Sequence, residues 1–199
     1  MLLRSSCPVV LASASPRRRE LLAALGIAFT VVPAEVDEIG AEQGYPAEET
    51  VRLNAVLKAE AVARTCPGSL VIGADTVVEC GGRICGKPRG PEDAAAMLRA
   101  LSGREHRVMT GVAFRLEKNR LERSFTEISR VTFKPLSEQT IRTYMELVDV
   151  LDKAGAYAIQ EHSELIVERL DGSLSNVIGL PVERLAEELC RAGVAERSS

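Results

Sequence analysis

No stretch of the 199-residue sequence reaches the eighteen or so apolar residues that a membrane span needs. Five cysteines, at positions 7, 66, 80, 85 and 190, form no C-x-x-C pair. Cys80 and Cys85 flank a Gly81-Gly82 turn, but four residues separate them and no histidine lies near, which argues against zinc. The only histidines, His106 and His162, have none of the company a metal site or a triad requires, and both read as surface or turn residues. No G-x-x-x-x-G-K-S/T segment occurs, so this is not a P-loop protein. There is no internal repeat and no low-complexity segment. A net charge of −3 disfavours a general nucleic-acid coat, so any anion site must be local. The short apolar N-terminal stretch runs straight into a serine-arginine turn and is expected to be a strand rather than a signal peptide. Unpaired thiols without a secretion signal point to the cytoplasm.

What is present is ordinary in bulk, with 46% hydrophobic and 27% charged residues. The length fits one large domain or two small lobes with a substantial core. The distinctive stretch is Leu-Ala-Ser-Ala-Ser-Pro-Arg-Arg-Arg-Glu-Leu-Leu, 11–22. Residues 8–12 read as a short buried strand, Ser15 as a helix N-cap, Pro16 as the first helical residue and Gly26 as the stop. Three arginines then fall in the first helical turn, where the macrodipole already places about half a positive charge. A strand, a tight serine turn and a basic helix start suit a bound phosphate; the alternative is a solvated basic patch.

Further along, residues 28–32 read as a strand, 34–46 as an acidic loop and 47–65 as a long helix. One loop carboxylate could turn inward to hold a metal. The helix offers Val51, Ala55, Leu57, Ala59 and Val62 for burial, and Lys58 among them either snorkels to the surface or points into a cleft. Residues 70–78 read as a central strand interrupted by Asp75. A carboxylate there is costly unless it is paired, hydrogen-bonded or on a metal, which makes Asp75 the leading functional candidate beside a structural ion pair. A turn at Gly81-Gly82 brings Lys87 back in a glycine-proline turn, near Asp75 if the two runs pair. A helix over 91–101, strands over 107–116 and 123–133, and a helix over 140–148 capped by Ser137 follow. A turn at 152–160, a strand at 165–170, a loop at 175–181 and a closing helix at 182–192 complete the chain, with the last few residues expected to fray. The pattern predicts a mixed α/β sheet flanked by helices, in two lobes around a central cleft. Its basic helix start, strand carboxylate, acidic loop and lysines fit a polyphosphate with a divalent cation.

The pieces 11–18, Val36-Asp37-Glu38, Gly73-Ala74-Asp75-Thr76-Val77-Val78, Gly86-Lys87-Pro88, 152–160 and 175–181 follow one another in an order that resembles the Maf family of nucleoside triphosphate pyrophosphatases. The resemblance spans nearly the whole chain as a single domain, 1–199, and implies a fold similar to the inosine-triphosphate pyrophosphatases and a homodimer. It implies hydrolysis of a nucleoside triphosphate to the monophosphate and pyrophosphate, with Mg2+ or Mn2+ as cofactor and neither nucleic acid nor membrane as partner. Carried over, Ser13, Arg17 and Arg18 match phosphate ligands, and Lys58 and Lys87 match triphosphate-facing lysines. Asp75 matches the catalytic carboxylate and Glu38 the acidic residue of the metal or catalytic site, both as candidate metal ligands. Thr76 and Gln160 fall where the family sets base preference. Arg17, Thr76 and Gln160 favour the branch acting on dTTP and UTP, or on modified pyrimidine nucleotides, over the 7-methyl-GTP branch and over purine cleaning. A non-catalytic, nucleotide-sensing regulator of cell division is the rival from another class. Two positions depart from the pattern: Glu161 stands where glycine is usual, and Leu174 where an aromatic is frequent.

Overall fold

The structure, a computed structural model, describes residues 2–197. Its order is β1 (Leu3–Ser5), β2 (Val9–Leu11), α1 (Pro16–Ala23), β3 (Phe29–Val31), α2 (Ala47–Ala63), β4 (Leu70–Cys80), β5 (Arg83–Cys85), α3 (Pro91–Leu101), β6 (Glu105–Leu116), β7 (Leu121–Phe133), α4 (Glu138–Leu147), α5 (Ser163–Ile166), β8 (Val167–Asp171), α6 (Leu174–Ile178), α7 (Val182–Arg191) and β9 (Ala195–Arg197). The strands of the larger sheet run β3-β2-β4-β6-β7-β8, with β5 added on β4. β2 is parallel to both β3 and β4, whereas β5 on β4 and β8 on β7 are antiparallel. The sheet is therefore mixed, as the alternation of strands and helices predicts. No helix among the described residues is long and apolar enough to cross a membrane.

The chain divides into two compact units. The first comprises residues 1–75, 110–127 and 179–199, and the second 76–109 and 128–178. Each has its own core. In the first, Leu11, Leu22, Leu70, Ile72, Phe114 and Leu185 are packed together. In the second, Leu98, Phe133, Ile141, Tyr144, Tyr157 and Ile166 are.

Helix α2 lies unusually near the sheet, and two glycines are the reason. A Cβ on Gly73 of β4 would stand 2.5 Å from the Ala55 carbonyl oxygen, and one on Gly111 of β6 would stand 2.3 Å from that of Val51. Both obstacles are backbone, which cannot swing aside, so larger residues there would push the helix away. Ala55, Ala59 and Ala113 complete a small-residue seam. Alternate strand residues face one side of a sheet, so Asp75 shares the α2 face with Gly73.

Several expectations need correction. Leu57 is 37% exposed, because on α2 the buried stripe runs through Val51, Ala55, Ala59 and Val62. His106 is buried at 2% exposure rather than lying on the surface; β6 carries it inward against the Phe133 and Tyr157 rings. Part of 175–181 is helical, as α6, with the Ser173 hydroxyl accepting from the Asn176 N–H at 3.1 Å. The residue run at 165–170 opens as the last turn of α5 before β8 begins. The chain end does not simply fray: β9 pairs antiparallel with β1, Leu3 opposite Arg197, while residues 198–199 lie outside the described ones. Ser15 takes the N-cap position of α1 with Pro16 following, but its side chain makes no cap bond.

Candidate active site

β2 delivers the chain into Ser13, a buried serine whose hydroxyl accepts from the Ser15 N–H at 3.2 Å. This short turn starts α1 and sets Arg18 over β4. The Arg18 guanidinium donates from Nη1 to the Ala74 carbonyl at 2.9 Å and to Ser13 Oγ at 3.4 Å, and from Nε to the Gly179 carbonyl at 2.9 Å. Burial pushes its pKa below the ordinary arginine value, against the opposing pull of Asp75 and then Glu38, with Arg17 adding to the lowering. Arginine stays charged regardless. It therefore brings a fixed positive charge to the strand residue just before Asp75.

Asp75 is 7% exposed, and both of its oxygens are engaged. Lys58 Nζ lies 2.8 Å from Oδ1, and Asn54 Nδ2 donates to Oδ2 at 3.0 Å. Asn54 and Lys58 are one helical turn apart on α2, so they present to the same face. The Asn54 amide also grips the acidic loop: Oδ1 accepts from the Ile39 N–H at 2.7 Å, and Nδ2 donates to the Ile39 carbonyl at 3.0 Å. That grip holds the neighbouring Glu38, whose Oε1 lies 2.9 Å from Lys58 Nζ. Lys58, at 7% exposure, points inward rather than snorkelling. The expense of a buried carboxylate is thus offset by an ammonium and an amide.

Ser13, Arg18, Glu38, Lys58 and Asp75 form one hydrogen-bonded network in the first unit, with Arg17 half-buried beside Arg18. Thr76, Lys87 and Gln160 belong to the second unit. Thr76 follows Asp75 in β4 and is half-buried, whereas Lys87 and Gln160 are exposed. The β4–β5 ladder pairs Val78 with Cys85, and Lys87 lies beyond its end. Asn54 is the residue that sequence reasoning missed. Its signal was available: a polar side chain four residues before Lys58 among the buried positions of a helix.

Among the described residues no group of three or more His, Cys, Asp or Glu side chains could hold a metal. Two carboxylates do converge on one point, the Lys58 ammonium. That fits a cation such as magnesium, which typically takes one or two protein carboxylates and completes its shell with water and substrate phosphates.

The Maf-like protein family model matches residues 8–192. The chain belongs to this family. Among curated relatives, this chain is 48% identical over 191 residues to the dTTP/UTP pyrophosphatase of Akkermansia muciniphila, covering 96% of this chain and 98% of that one. It is also 48% identical to the dTTP/UTP pyrophosphatase of Myxococcus xanthus, over 94% of this chain and 93% of that one. Among solved structures, a nucleoside-triphosphatase / dITP/XTP pyrophosphatase from Mycobacterium abscessus matches 65% of this chain and 75% of that one, at 16% identity and a TM-score of 0.42.

Proposed function

We propose that this chain hydrolyses nucleoside triphosphates, dTTP and UTP foremost, to the monophosphate and pyrophosphate, with the whole of 1–199 as the functional domain. The observation that carries the reading is Asp75: a buried strand carboxylate held by Lys58 and Asn54 beside the arginine-bearing start of α1. The dTTP/UTP pyrophosphatase activity of relatives at 48% identity supports the substrate class.

In this reading Ser13, Arg17 and Arg18 take phosphate oxygens at the basic helix start. Asp75 orients a water and accepts its proton as the water oxygen bonds to the α-phosphorus. The bond from the α-phosphorus to the bridging oxygen breaks, and pyrophosphate leaves with the electron pair. Lys58 and Lys87 neutralise that leaving group. Asp75 and Glu38 would hold Mg2+ or Mn2+, which supplies positive charge at the phosphate oxygens when bound. Thr76 and Gln160 read the base. A cytoplasmic homodimer completes the reading, on the family resemblance.

The test is product analysis of purified protein with magnesium or manganese against dTTP, UTP, CTP, GTP and 7-methyl-GTP. Pyrophosphate and monophosphate appearing fastest from dTTP or UTP is the expected result. Preference for 7-methyl-GTP would keep the chemistry and reassign Thr76 and Gln160. Nucleotide binding without turnover would overturn the reading in favour of a sensing protein.

A further inference from the structure

Lys58 Nζ stands among three oxygens: Asp75 Oδ1 at 2.8 Å, Glu38 Oε1 at 2.9 Å and the Ala74 carbonyl at 3.5 Å. The two carboxylate oxygens are the hard donors that Mg2+ or Mn2+ takes, one or two protein carboxylates sufficing for magnesium, while the Ala74 carbonyl is already held by Arg18 Nη1 at 2.9 Å. The ammonium is therefore seated among the oxygens the cation needs.

We propose that the Lys58 ammonium and the divalent cation are alternative occupants of this cage. Without the cation, Lys58 neutralises Asp75 and Glu38. When the cation enters, like-charge repulsion and loss of its carboxylate partners drive Nζ out. Its four-carbon stem keeps it tethered to α2 and able to reach a triphosphate oxygen. The inference rests on the reading of Asp75 and Glu38 as cation ligands given under the proposed function.

Two features make the exchange workable. The cage does not depend on Lys58 for its shape, because Asn54 fixes Asp75 Oδ2 at 3.0 Å and both main-chain groups of Ile39. Glu38 is also the mobile partner by environment: its side chain is 55% exposed, against 10% for Asp75, so it can re-aim from ammonium to cation. A consequence follows from linkage. Cation and triphosphate both favour the state with Lys58 out of the cage, so each tightens the other beyond their direct contact. A lysine neutralised by two carboxylates would otherwise attract phosphate poorly.

The experiment measures Mn2+ binding to the full chain without nucleotide, by calorimetry and by the spin-resonance signal of free Mn2+, for wild type, Lys58→Met and Asp75→Asn. Lys58→Met is expected to bind Mn2+ at least about fivefold tighter than wild type, a step within the usual range of coupling between sites. Asp75→Asn should lose the site. Adding the α,β-imido analogue of dUTP should narrow the gap between wild type and Lys58→Met. In parallel, amine-reactive labelling of wild type, read by mass spectrometry, should show Lys58 becoming more reactive when Mg2+ is added; this needs no variant to fold. Equal or weaker Mn2+ binding by Lys58→Met, or Lys58 labelling unchanged by Mg2+, would overturn the exchange. If wild type still releases pyrophosphate from dTTP in that case, the exchange alone is wrong. If wild type shows neither turnover nor an Asp75-dependent Mn2+ site, both the exchange and the functional reading fall.

Discussion

Lys58 in the first unit and Lys153 in the second are buried to the same degree, 7% and 6% exposed, and each ammonium meets two carboxylates and a main-chain carbonyl. Their settings differ. Lys58 faces Asp75, which sits on the central strand β4 with its second oxygen held by Asn54. Lys153 faces Asp152 at 2.8 Å and Glu161 at 3.7 Å, whose side chains are 52% and 45% exposed, and it donates to the Asp149 carbonyl. Those three partners lie on one loop within thirteen residues of chain. The second lysine is a staple that gathers residues 149–161, whereas the first joins α2 to the central strand and to the acidic loop. Burial of a lysine does not by itself mark chemistry; what separates the two is that the carboxylate partner of Lys58 is itself buried, on a strand.

The same loop is tied down by aromatics. Tyr157 Oη lies 3.0 Å from His106 Nε2, and the Tyr144 hydroxyl donates to the Ala158 carbonyl at 3.2 Å and accepts from the Ala158 N–H at 3.0 Å. Burial pushes the Tyr144 phenol up to about 12 and raises Tyr157 further, so both stay protonated. The second unit keeps its buried titratable rings neutral, and both units keep their buried charges paired.

The comparison breaks most decisively at Asp75. Asp75→Asn should lower turnover by on the order of 10²–10⁴ while the chain still melts cooperatively, as judged by pyrophosphate release and calorimetry. Turnover near that of wild type would return Asp75 to a structural ion pair like that of Lys153.

The next largest effect is on pH. Burial holds His106 down to about 4 from an ordinary value of 6.5. The unfolded chain therefore takes up this proton first as pH falls. The stability that His106 contributes is whole above about 6.5 and is lost as pH drops towards 4. Between pH 7 and pH 5 the loss should be about 2 kcal/mol, flattened in His106→Phe, as read from denaturant melts at each pH. A pH-independent midpoint in wild type would contradict the neutral ring.

Lys153→Met should cost about 1 kcal/mol of stability through the lost bond to the Asp149 carbonyl, because its two carboxylates can rehydrate. A loss as large as that of a catalytic variant in turnover, without a stability change, would make the second lysine a site as well. Glu161→Gly should move stability by no more than about 0.5 kcal/mol, since half-exposed ion pairs contribute little. Its readout is KM for dTTP, which should fall modestly when a negative charge next to Gln160 is removed; an unchanged KM would separate that charge from the base.

Much of this was legible in residue order. Pro91 at the start of α3 and Gly103 just past its end marked that helix at 91–101, the range it takes. Asp75 stood out because a charge in an apolar run needs a reason, and Ser137 announced itself as the cap of α4, accepting from the Thr140 N–H at 3.0 Å. His106 reads as a surface or turn residue because the strand reads from 107, whereas β6 begins at Glu105 and takes His106 into its buried face. β1 and β9 were missed because each is three residues long and their pairing joins the two ends of the chain.

The sequence by itself determined the alternation of strands and helices and which residue types could handle a triphosphate, because those follow from local spacing and composition; the family came from the resemblance of its ordered motifs. Only the tertiary structure decided that Asn54 and Lys58 meet Asp75, that Glu38 of the acidic loop joins them, and that Arg18 is tied to the Ala74 carbonyl. All are long-range contacts, and the first two are set by how near α2 comes to the sheet. That approach rests on Gly73 and Gly111, whose missing side chains become meaningful only when a helix backbone occupies the space.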